Sequence, residues 1–135
     1  MKKIIGIISL CALSAIICSS LLAQGAKAGW PTALIGEWGL PNLKQPAGTK
    51  SSYTGENEGY TLTVYMTGAN AKTLQELKQQ IEKVTGKQMK SYDKNSCGTR
   101  LDKSNRASSV SGIAYLNLTL KGNLLEMEFF ISMGD

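Results

Sequence analysis

Two runs near the C-terminus constrain the fold of this chain more than any other feature. Ile113 to Leu120 places Ala114, Leu116, Leu118 and Leu120 on one side, and Leu124 to Ser132 does the same with Leu125, Met127, Phe129 and Ile131. Strict alternation is the period of a strand with one buried face. The intervening Lys121-Gly122-Asn123 suits a tight hairpin, because glycine supplies the left-handed backbone such a turn needs. Residues 113–132 are therefore expected to form a strand hairpin, with Glu126 and Glu128 on its wet face. A third alternating run, YTLTVYMT over residues 60–67, sets Tyr60, Leu62, Val64 and Met66 against Thr61, Thr63, Tyr65 and Thr67.

A sheet with one apolar face needs a cover. Residues 72–85 supply one, since Leu74, Leu77, Ile81 and Val84 are spaced 3, 4 and 3 and form a single helical stripe. Thr73 and Glu76 have the spacing of a capping box, and Gly86 is a left-handed stop. Burying the four stripe residues contributes roughly 6–12 kcal/mol gross, before chain entropy is subtracted. A weaker strand is expected over residues 87–92.

The first 28 residues read as a leader. Met1-Lys2-Lys3 is basic, the uncharged apolar run extends from Ile4 to Ile17, and a more polar part ends in Ala26-Lys27-Ala28. That order is the layout of a secretory signal peptide with small residues before the cut. Cleavage after Ala28 leaves residues 29–135 as one small domain. Two alternatives stay open. The stretch from Ile4 to Ala26 is long enough to span a bilayer uncleaved. Cys18 stands where bacterial lipid-modified cysteines stand, although the preceding Ala15-Ile16-Ile17 departs from the usual small residues. The expected location is thus periplasmic or secreted, with a lipid-anchored envelope form as the alternative.

Removing the leader alters the charge. The whole chain has 15 basic and 10 acidic residues; without Lys2, Lys3 and Lys27 the balance falls to 12 against 10. So mild an excess points away from nucleic acid. Cys11 and Cys18 also leave, so Cys97 has no cysteine partner within the mature chain, which excludes an internal disulfide.

Residues 29–59 contain every proline (Pro31, Pro41, Pro46) and both tryptophans (Trp30, Trp38). Proline presets extended backbone and does not join a central ladder. Trp30, Leu34, Ile35, Trp38, Leu40 and Leu43 make the stretch too apolar for a free linker. It is read as an extended arm packed over the sheet, with an exposed aromatic docking patch as the competing reading. The expected fold class is α+β: one amphipathic helix packed on a small antiparallel sheet, with this extended N-terminal arm. Residues 93–112 are expected to be a long polar loop containing Cys97, Arg100, Lys103 and Arg106.

The available chemistry is narrow. The chain has no histidine, which excludes His-based triads, His-ligated zinc and imidazole acid–base catalysis. Asp93-Lys-Asn95-Ser-Cys97-Gly98 imitates the start of a calcium loop, but cysteine stands at position 5 and Ser104 at position 12, where a bidentate glutamate is needed. A turn held by Asp93 and Asn95 accounts for it. Glu126 and Glu128 share a strand face as solvent-side charges would. No catalytic residue, cofactor or metal site is expected.

The sequence of Trp30-Pro31, Leu40-Pro41 and Pro46-Ala-Gly48, followed by strand, helix and closing strand pair, resembles a group of small exported bacterial proteins of unknown function, often lipoproteins. The resemblance implies an envelope location and no particular activity. The expectation is a non-catalytic binding or interaction domain of the cell envelope, its partner an unknown envelope protein or ligand. Trp30, Trp38, Cys97, Arg100, Lys103 and Arg106 are its candidate contact residues. Contact with a membrane is expected only for a lipidated or uncleaved form. The alternatives are a thiol-dependent factor using Cys97, and a homodimer through Cys97 or the C-terminal edge strand.

Overall fold

A computed structural model describes residues 26–55, 61–101 and 112–132. The hairpin forms where the alternation places it. Strands β6 (Ile113–Lys121) and β7 (Leu124–Ser132) pair antiparallel from Ile113↔Ser132 to Lys121↔Leu124. The two-residue turn between them is possible because Gly122 takes φ 62°. The remaining strands are β1 (Lys27–Ala28), β2 (Lys50–Gly55), β3 (Thr61–Thr67), β4 (Lys90–Asp93) and β5 (Ser96–Leu101). All pair antiparallel in the order β1-β2-β3-β7-β6-β5-β4.

This sheet corrects the α+β expectation. Strands hold 47% of the described residues and helices 23%, so the molecule is closer to a mostly-β fold. The difference comes from polar strands. KSSYTG of β2 and SCGTRL of β5 lie toward the two ends of the sheet, carry few aliphatic side chains and show no sustained alternation. They are held by the ladder to better-patterned neighbours. The supposed loop from residue 93 therefore contains a strand, and the supposed arm contains β2 and a short helix. The β7 strand is also no edge. It lies between β3 and β6, so the C-terminal strand is not an edge of the sheet as expected.

One face of the sheet is the core. Leu62, Val64 and Met66 of β3, Leu125, Met127 and Phe129 of β7 and Leu116 and Leu118 of β6 are almost wholly buried. Helix α2 (Ala71–Thr85) lies over it, nearest β6. Its cap differs from expectation by a turn. Asn70 is the N-cap: its side-chain oxygen accepts from the Thr73 N–H at 3.0 Å, while the Asn70 N–H donates to Thr73 Oγ1 at 3.1 Å. Asparagine caps at least as well as threonine, and Ala71 and Lys72 extend the helix at little cost. Asn70→Ala is expected to lower stability by about 1 kcal/mol in urea unfolding. At the other end Gly86 is left-handed (φ 70°) and donates its N–H to Glu82 O at 2.9 Å. Leu74, Leu77 and Ile81 are buried, but Val84 is 44% exposed.

The proline–tryptophan segment belongs to the fold. Pro31 precedes helix α1 (Thr32–Glu37), whose first turn tolerates a residue without an N–H. Ile35, Trp38, Leu40 and Leu43 are buried in the same core as the sheet. Trp38 lies against Phe129 with ring centroids 5.5 Å apart. The Gln80 amide on α2 ties the segment down, accepting from Lys44 N–H at 3.1 Å and donating to Lys44 O at 3.2 Å. The opposite sheet face carries Tyr65, Tyr115, Asn117, Glu126, Glu128 and Phe130. There Tyr115 stacks on Phe130 at 5.4 Å, and Lys121 pairs with Glu126 at 3.1 Å.

Candidate functional site

The residues singled out by sequence separate into three places. Trp30 is half-buried, and its Nε1–H donates to Leu43 O at 3.1 Å. It borders an open groove with Pro41, Asn42 and Lys44. Its hydrogen bond closes the proline segment on itself, so the indole is occupied structurally.

Cys97 lies beneath α2 on the core side of β5, opposite Leu118, and is 3% exposed. Burial pushes its thiol up, Lys78 pulls it partly back, and Glu82 adds to the rise. A protonated, enclosed thiol is a poor nucleophile and cannot meet a second copy without opening the fold. A thiol reagent at neutral pH is expected to label the native protein at least about tenfold more slowly than the urea-unfolded chain. The pH dependence has a definite sign. The unfolded thiol loses its proton near pH 8.5 while the folded one retains it, so stability falls as pH rises above about 8.5, toward the folded value. The urea midpoint at pH 9.5 should lie below that at pH 7.

Trp38 and Arg100 do come together. They line a cleft of about 270 Å³ with Gly39, Leu40, Val84, Thr85, Lys87 and Leu101. Three local features build it. Gly39 and Leu40 turn the chain after α1 and leave Trp38 inside. Val84, in the last turn of α2, keeps nearly half its surface in water. Pairing between β4 and β5 stops at Lys90↔Gly98, so the end of β5 at Arg100 and Leu101 runs past its neighbour. Apolar surface of Leu40, Val84 and Leu101 thus adjoins Lys87 and Arg100, and among the described residues no carboxylate or thiol lines the cleft. The Nε1–H of Trp38 is buried with no hydrogen-bond partner among the described residues, and a buried donor left so costs about 1–3 kcal/mol. Lys103 and Arg106 lie outside the described residues.

No family model matches this chain. No curated protein and no solved structure is detectably similar to it either.

Sequence reasoning found Trp38 and Arg100 but missed Val84, Lys87 and Leu101. The signal for Val84 was present: it is the final stripe residue, one turn from the stop at Gly86, where a helix is most apt to pass the edge of what it covers. The imitation calcium loop is the β4–β5 turn, with the Asn95 N–H donating to Asp93 Oδ1 at 2.7 Å. Among the described residues no group of acidic, cysteine or histidine side chains could hold a metal ion, and no helix is long and apolar enough to cross a membrane.

Proposed function

We propose that this chain is an exported, non-catalytic binding domain of the bacterial cell envelope, and that its cleft takes a compact amphipathic anion. The basic, apolar and small-residue layout of the N-terminal leader supports export. The juxtaposition of exposed Val84 with Arg100 over buried Trp38 carries the binding reading. An apolar wall beside the Arg100 guanidinium matches a short hydrocarbon body ending in a carboxylate or phosphate. The negative end of the α2 dipole at Thr85 opposes an anion, and the positive side chain of Lys83 in the last turn offsets it. The absence of histidine, with Cys97 buried apart from the cleft, favours binding over turnover.

Calorimetric titration with octanoate tests this, with an alkylammonium of equal chain length as control. Octanoate is expected to bind saturably and the ammonium at least about tenfold more weakly, a difference of about 1.4 kcal/mol. Val84→Glu should abolish octanoate binding while leaving the melting temperature within a few degrees, since Val84 contributes little to the core. Equal binding of the two amphiphiles, or no saturable binding of either, would overturn the reading.

A further inference from the structure

The last two small-x-small triplets before Gly29 are Ala23-Gln24-Gly25 and Ala26-Lys27-Ala28, and either meets the requirement of a leader peptidase for small residues at −3 and −1. Spacing alone does not choose between them. The fold does. Lys27 and Ala28 form β1, paired with Tyr53 and Ser52 at the outer edge of β2, and the ladder continues where the Gly29 N–H donates to Ser51 O at 2.8 Å. Ala26, just ahead, is buried.

We propose that the leader is cut at the Gly25–Ala26 bond, so that Ala26-Lys27-Ala28 stays on the mature chain as the edge strand of its sheet. A peptidase holds the residues before its scissile bond in its own extended groove. Lys27 and Ala28 cannot occupy that groove and the edge of β2 together, whereas Ala23–Gly25 precede β1 in the sequence. In the step itself a water adds to the Gly25 carbonyl and the C–N bond to Ala26 breaks. Gly25 leaves as a carboxylate, and the Ala26 nitrogen takes the proton as an amine.

The cut position matters for the finished domain. Removal after Ala28 would strip β1 and bare the middle of β2, a strand with Ser51, Ser52 and Tyr53 in its centre. Such an edge is open to pairing with another chain. A two-residue cover ending in Lys27, exposed and charged, blunts it. Retaining Lys27 also makes the mature chain more basic by one charge than cleavage after Ala28 would.

The test is N-terminal sequencing and intact mass of the exported protein from fractionated cells. The expected start is Ala26, heavier by one Ala-Lys-Ala than a chain starting at Gly29. A start at Gly29, a lipid-bearing start at Cys18, or any other start overturns the proposal. Bulky residues at the two competing −1 positions give an independent reading. Gly25→Trp is expected to abolish processing at Ala26 and accumulate precursor, while Ala28→Trp is processed like the parent chain. The reverse pattern also overturns it.

Discussion

Trp38→Ala is expected to destabilise the protein by about 3–5 kcal/mol, the range for deleting a large aromatic from a packed interior. The residue is 0% exposed, lies against Phe129 and belongs to the same core as the sheet. The tilted ring pair adds about 0.5–1.5 kcal/mol beyond area. For a domain of this size such a loss is a large part of the whole stability. Urea unfolding followed by circular dichroism measures it. Trp38→Phe separates two contributions of the side chain. It retains a ring against Phe129 and removes the unpartnered Nε1–H, so its cost should be less than half that of alanine. A loss under 1 kcal/mol for Trp38→Ala would mean that residues 29–48 are a detachable arm after all.

The second large effect is on α2. Leu77→Ala is expected to cost about 2–5 kcal/mol, because Leu77 is 0% exposed at the middle of the stripe that covers the sheet. Val84→Ala, on the same stripe two turns on, should change stability by no more than about 0.5 kcal/mol. The contrast is the informative part, since periodicity treats the two positions alike. Matched urea midpoints for the pair would mean that Val84 is packed, and that the cleft beside it is closed in solution.

The parts of the fold legible in the sequence were those whose side chains sort themselves by burial. The hairpin of residues 113–132 and the strand YTLTVYMT have alternating aliphatic residues because one face meets the core. The helix was legible from Leu74, Leu77 and Ile81 and from Gly86. What escaped were β2 and β5, where serine, threonine and glycine dominate. Their stability comes from backbone pairing with β3 and β6, which leaves little trace in composition. The class changed from α+β to mostly-β for that reason. At the site, Trp38 and Arg100 were chosen for residue type alone. That they meet depends on Gly39 turning the chain and on β5 outrunning β4, and both are tertiary facts. The cap moved from Thr73 to Asn70 because either residue suits the position and local pattern does not rank them.

The claim that the Trp38 cleft is where this domain binds can be tested with two resonances. The chain has two tryptophans, so an ¹⁵N–¹H correlation spectrum shows two indole N–H signals. The Trp30 N–H is held by Leu43 O, while Trp38 lines the cleft and its N–H is buried with no partner among the described residues. On titration with octanoate the Trp38 signal should move saturably while the Trp30 signal stays in place. A Trp38 signal that does not move at millimolar octanoate, or a shift confined to Trp30, would contradict the account.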